Sequence, residues 1–137
     1  MIQRLRSPWV RWVALATLVA CVAVGALVRS RRAWSVVRVQ VAIAGKPPAK
    51  QCPVQVEVEG RIGIAGQGGT VRYRWERSDG AVSEERSVVV RGRDETVTDR
   101  WWINAPGKTI HVGFRLHVLA PNDTTSSEVT TSVECPT

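Results

Sequence analysis

The chain has 137 residues and a mass of 15.1 kDa, room for one folded domain and too little for a large multidomain enzyme. Apolar residues at 44% and charged residues at 23% are close to globular averages, which excludes wholesale disorder. A net charge of +7 spread through the fold would mark a binder of polyanions, but residues 1–51 hold nine basic and no acidic side chains, whereas residues 52–137 hold ten basic and twelve acidic (10 − 12 = −2).

Residues 12–28, WVALATLVACVAVGALV, form a seventeen-residue run without a charge, with Arg4, Arg6 and Arg11 before it and Arg29, Arg31 and Arg32 after it. At the helical rise of 1.5 Å the run reaches about 25 Å, and flanking arginines that snorkel to the interface complete a single membrane span. Nothing later in the chain has helical periodicity, so a buried helix of a helical bundle is excluded for want of partners. Three fates are open: a retained signal anchor, the h-region of a cleaved signal peptide with Val24-Gly25-Ala26 as its small residues, or a lipoprotein lipidated at Cys21 of Leu18-Val19-Ala20-Cys21. Seventeen apolar residues exceed an ordinary h-region, and the chain stays apolar beyond Cys21, so the length favours the anchor. Residues 1–11 are then a short basic cytoplasmic tail and residues 29–33 a basic juxtamembrane linker that sits on anionic headgroups. Three arginines on each side leave the orientation nearly tied.

From Trp34 to the end, apolar residues alternate with polar ones, the period of half-buried strands. The runs are Val37-Val39-Val41-Ile43; Val54-Val56-Val58 continuing to Ile62 and Ile64; Val71-Tyr73-Trp75; Val88-Val90; a run from Val97 to Ile103; Ile110-Val112-Phe114-Leu116-Val118; and a run from Val129 to Val133. Turn residues separate them: Gly45-Lys46-Pro47-Pro48, Gly66-Gln67-Gly68-Gly69, Ser78-Asp79-Gly80, Gly92-Arg93-Asp94, Asn104-Ala105-Pro106-Gly107 and Pro121-Asn122-Asp123. Seven short strands over residues 34–137 with no helix between them predict an all-β domain, an antiparallel sandwich of immunoglobulin (Ig)-like type, with a small barrel as the alternative.

Cys52 opens the second run and Cys135 closes the last, 83 positions apart, a spacing well suited to a disulfide. Such a bond persists outside the cytoplasm, where an export segment would deliver the domain, and this breaks the tie in orientation: residues 34–137 are expected on the outer side of the membrane. Neither a Cys-x-x-Cys pair nor zinc-type Cys/His spacing occurs, and no metal or cofactor is expected.

The run Val71-Arg72-Tyr73-Arg74-Trp75-Glu76-Arg77-Ser78-Asp79-Gly80, with the leading Cys52-Pro53, the stretch from Thr96 to Trp101, Val118-Leu119-Ala120-Pro121-Asn122 and the terminal Cys135, resembles the secreted or membrane-anchored Ig-like domains common in actinomycete-type bacteria. The resemblance covers nearly all of residues 34–137. It implies a sandwich with Trp75 buried on its third strand, Trp101 turned inward and Trp102 outward, and it carries no general enzymatic activity. Two features depart from antibody domains. The cysteines would join the start of the second strand to the end of the last, and the sixth run lacks the tyrosine of a tyrosine corner.

No catalytic constellation emerges from the spacing. His111 and His117 share the outward side of one run at a separation of about 20 Å, too far for a common metal or proton. Ser87 and Asp99 with a histidine would be an arbitrary triad without a nucleophile elbow. The Gly66-Gln67-Gly68-Gly69 stretch opens no helix and reads as a turn, as does the sequon-like Asn122-Asp123-Thr124. If the third and sixth runs are neighbours, Arg72, Arg74, Arg115, His111 and His117 project from one outer face, which with outward Trp102 is a candidate binding surface for an envelope protein or an anionic cell-wall polymer. The competing reading pairs these cations with Glu76, Glu128 or Glu134 as an ordinary solvated surface. The function expected is a non-catalytic, membrane-tethered interaction or structural module of the bacterial envelope. The alternatives are a small envelope hydrolase and a cytoplasmic basic protein bound to nucleic acid, a partner that the expected location excludes.

Overall fold

The computed structural model describes residues 33–48 and 50–137; the 12–28 segment, its flanking arginines and Cys21 lie outside the described residues. Among the described residues no helix is long and apolar enough to cross a membrane. The chain divides into a unit up to Ala33 and a unit from Trp34 to Thr137. The second unit consists of strands β1 (Ser35–Ile43), β2 (Val54–Ala65), β3 (Gly69–Arg77), β4 (Arg86–Val90), β5 (Asp94–Ile103), β6 (Thr109–Ala120), β7 (Thr124–Thr125) and β8 (Val129–Glu134).

All neighbours pair antiparallel, in two sheets ordered β1-β2-β5 and β4-β3-β6, with β7 and then β8 both on the far side of β6. The chain changes sheets between β2 and β3, back between β4 and β5, and again between β5 and β6, which is the Greek-key wiring of an Ig-like sandwich. The barrel alternative fails because β1 and β8, and likewise β4 and β5, remain unpaired edges.

The alternation read from the sequence is what builds the core. Val54, Val56, Val58, Ile62 and Ile64 of β2 face Val71, Tyr73 and Trp75 of β3 and Val112, Phe114, Leu116 and Val118 of β6, all buried, with Trp75, Phe114 and Leu116 inaccessible. Gly60 occupies the inward position between Val58 and Ile62, and a Cβ there would lie 2.6 Å from Leu116 Cδ2 and 3.1 Å from the far end of the Trp75 ring. The two large side chains thus fit because β2 leaves a gap opposite them.

Two details differ from the sequence reading. Val37 was expected to face inward, yet it is 62% exposed and Val36 is buried. The register shifts between Val36 and Arg38, so a β-bulge adds a residue and returns Val39, Val41 and Ile43 to the inner side. One strand more than the seven expected is present: β7 is two residues long and contains none of the apolar alternation by which strands are recognised.

The turn segments behave as their residue types dictate. Gly66 and Gly68 of the β2–β3 connection have positive φ (100° and 79°), and at Gly68 a side chain would also run into the Val90 carbonyl. The Asn122 amide acts as a piece of strand. Its Oδ1 accepts from Val36 N–H at 2.8 Å and its Nδ2 donates to Val36 C=O at 3.0 Å, fastening the start of β1 to the loop after β6. Asn122→Ala leaves both Val36 groups part-buried and unpaired, and is expected to lower the unfolding free energy by about 1–3 kcal/mol in urea titration, with faster hydrogen exchange at Val36.

Candidate interaction surfaces

Cys52 and Cys135 are bonded, with their Cα atoms 5.1 Å apart. The bond joins the entrance of β2 in one sheet to the exit of β8 in the other, so it holds the sheets together at one end of the sandwich. Where β4 faces β5, Arg86 Nη1 of β4 lies 3.0 Å from Asp99 Oδ1 of β5 and links the two edge strands. Ser87 stands beside Arg72 on the outer side of β3–β4, so the Ser87 and Asp99 of the arbitrary triad belong to different sheets.

Tyr73 is buried next to this bridge, opposite Arg86 in the strand register. Burial pushes its phenol above the ordinary tyrosine range, Arg86 opposes the rise and Asp99 adds to it. The folded form thus keeps a proton that the unfolded chain gives up near pH 10, so this contribution to stability is complete below pH 10 and lost as pH rises through the folded value. Melting temperatures between pH 8.5 and 11 are expected to fall more steeply for the native chain than for Tyr73→Phe.

The outer face of β3 and β6 carries the cations singled out in the sequence, and each has a partner. Arg72 Nη1 lies 3.1 Å from Glu85, Arg74 Nη2 3.5 Å from Glu76, and Arg115 Nη2 3.3 Å from Glu128. His117, opposite Arg74 in the register, donates from Nε2 to Asp123 Oδ1 at 2.9 Å, while Glu76 Oε1 lies 2.9 Å from its Nδ1. His111 contacts Ser132 Oγ at 3.2 Å. The structure therefore gathers Arg72, Arg74, Arg115, His111 and His117 on one face with carboxylates interleaved; Glu85 and Asp123, neither of which the sequence reading named as a partner of these cations, come from loops beside β4 and β7. Trp102 lies off this sheet face, although it lines a groove together with His111, Arg77 and Asp79. It is 61% exposed on the outer side of β5, in the other sheet, while Trp101 on the inner side packs its ring 6.0 Å from that of Phe114.

Arg77 is held by a two-point contact with Asp79, Nε to Oδ1 at 2.8 Å and Nη2 to Oδ2 at 2.7 Å, and its guanidinium lies 5.2 Å from the Trp101 ring centroid. These hydrogen bonds hold the Asp79 carboxyl below its ordinary range. The pair locks the β3–β4 turn over the end of the core, and its charges are spent on each other. Among the described residues, no three His, Cys, Asp or Glu side chains converge as metal ligands would.

Two interleaved antiparallel sheets with this strand order define an Ig-like β-sandwich. No protein-family model matches the chain, and no curated protein matches it. Among solved structures it is similar in shape to the CARDB domain of the PF1109 protein from Pyrococcus furiosus, determined in complex with di-metal ions, at 17% identity and a TM-score of 0.44 over 72% of this chain and 93% of that one. A structural-genomics target, SoR45, is similar at 9% identity and a TM-score of 0.33 over 72% of this chain and 87% of that one.

Proposed function

We propose that the chain is a membrane-tethered, non-catalytic Ig-like module of the bacterial envelope, with residues 34–137 displayed on the outer side. The observation that carries this reading is the Cys52–Cys135 bond in a domain preceded by seventeen uncharged residues flanked by arginines. A disulfide endures in an oxidising compartment, and an apolar segment of that length delivers a domain there. The module reading is supported by a surface whose charged groups are engaged in pairs with one another rather than aimed into a common cleft. Carboxylates interleave with the cations of the β3–β6 face, which favours a protein partner over an anionic polymer.

The test is thiol labelling with a membrane-impermeant reagent on intact cells, before and after reduction, together with the intact mass of the mature chain. The expected result is that Cys52 and Cys135 react only after reduction and from outside, with a mass that retains residues 12–28. Labelling of both thiols without reduction, or only after lysis, overturns the envelope location.

A further inference from the structure

At the end of the sandwich opposite the one where Trp34 packs over Gly69, β3 stops short of β6: Arg77 closes it opposite Phe114, whereas β6 begins at Thr109. The last residue to bond β6 on that side is Ser78. Its N–H donates to Gly113 C=O at 2.8 Å and its Oγ accepts from Gly113 N–H at 2.9 Å, after which the chain turns away toward β4. Two positions along β6, the alternation of the ladder points the N–H and C=O of His111 to the same side as those of Gly113, and among the described residues neither has a partner. A groove of about 320 Å³ opens there, lined by Ser78 and Asp79 of the turn, Trp102 and Asn104 from the end of β5, and His111 of β6. Its charges cancel, because Asp79 already accepts from Arg77 Nε, Arg77 Nη2 and Ala81 N–H. What it presents is a bare indole, 61% exposed, among uncharged polar groups. The Ser78 O–H has no acceptor among the described residues. The Asn104 amide touches only Cys52 Sγ, at 3.4 Å, a disulfide sulfur with no proton to give. His111 engages Ser132 through Nδ1 and keeps Nε2 free among the described residues.

We propose that this groove binds an uncharged saccharide, with one pyranose ring stacked on Trp102 and its hydroxyls bonded to His111, Asn104 and Ser78. A pyranose has a flat face of C–H groups and a rim of hydroxyls, each of which both donates and accepts. The groove offers the complement: the apolar face of an indole, the donors Ser78 O–H, His111 N–H and Asn104 Nδ2, and the acceptors His111 C=O and Asn104 Oδ1, all neutral. Other ligands match it less well. An anion would need the Arg77 guanidinium, which Asp79 holds at two points. A cation would need the Asp79 carboxylate, which three N–H groups already occupy. An added peptide strand needs a run of outward backbone pairs, and this edge ends within two residues of Gly113, where β6 begins at Thr109. The volume is near the lower bound for ligand pockets and suits the end or a short stretch of a glycan. This ligand goes beyond the module reading and does not rest on it, since the groove is built wholly within residues 34–137.

The experiment uses the full chain, isotope-labelled for NMR, in micelles of lauryldimethylamine oxide, whose head group carries no sugar to compete. It is titrated with cellotetraose and N-acetylchitotetraose as uncharged probes, tetragalacturonate as an anionic probe and decaproline as a peptide probe. The expected result is saturable movement of the Trp102 indole, Asn104 and His111 signals with at least one uncharged probe, while the Trp34 and Trp75 indole signals stay in place. Trp102→Ala is expected to raise the dissociation constant of that probe at least tenfold, and Trp102→Tyr, which keeps an aromatic face, to change it by no more than about threefold. Asn104→Ala is expected to weaken binding several-fold, and Val37→Ala, at an exposed apolar side chain of β1, to leave it unchanged. All three positions are exposed, so the fold is not at risk. The proposal is overturned if neither uncharged probe moves these signals, if tetragalacturonate alone binds and is released by salt, if decaproline alone saturates the site, or if affinity is indifferent to Trp102→Ala.

Discussion

Trp75→Ala is expected to lower the unfolding free energy by about 3–5 kcal/mol, enough to leave much of a domain of this size unfolded at physiological temperature. The side chain is inaccessible to solvent on the inner side of β3, in the layer shared with Leu116 and Gly60. Its backbone is tied at the same point: Trp75 N–H donates to Ser83 Oγ at 2.8 Å and Ser83 N–H donates to Trp75 C=O at 2.9 Å, where the chain bends away toward β4. Truncation leaves a cavity between two sheets that the disulfide, the Asn122 clamp and the Arg86–Asp99 bridge all hold in place, so the walls close poorly and the cost should fall at the upper end. Trp75→Phe keeps most of the volume, and since the indole Nε1–H has no partner among the described residues, its loss removes no hydrogen bond. Urea titration of the two variants is expected to put Trp75→Phe well above Trp75→Ala; equal losses would show that the ring's bulk is not what the core needs.

The second large effect belongs to the disulfide. Cys52→Ser/Cys135→Ser is expected to cost about 4.5 kcal/mol on a chain-entropy basis, because the bond closes a loop of 83 positions that contains every strand except β1. Cys135 is 3% exposed and Cys52 is half-buried beside Ile103 and Asn104, so the reduced thiols would also be packed against the core. Titration of the oxidised chain, the chemically reduced chain and the double-serine variant separates the two contributions. The reduced chain and the serine variant should both show a steeper dependence on urea, since their denatured states are more open, with midpoints well below that of the oxidised chain.

Much of the fold is visible in single residues. Val54, Val56, Val58, Ile62 and Ile64 alternate without a break, and period two has one physical meaning when one face of a sheet is buried. Trp75 in phase with Val71 and Tyr73 is placed inside by the same logic, and the two cysteines end the runs that they staple. Where phase is interrupted, the reading fails: Val36 and Val37 are equally apolar, and only pairing against Ile64 and Gly63 decides which of them is the extra residue. The candidate face shows the same limit. Arg72, Arg74, Arg115, His111 and His117 share a side by alternation, but Trp102 has the same outward phase on a strand that joins the other sheet.

Local pattern determined what each segment is, since whether a strand is half-buried, where the chain turns and which cysteines end the runs depend on residues within a few positions of one another. Tertiary structure alone decided which strands became neighbours, which edges stayed open and which carboxylate met which cation. Glu85 meets Arg72 and Asp123 meets His117 because a hairpin and a loop return to the sheet there, and the clasp of Asn122 on Val36 spans 86 positions. Such contacts are selected by the free energy of the whole packed domain, in which a side chain's partner is whatever the closed sandwich brings within reach, and no property of the isolated segment encodes it.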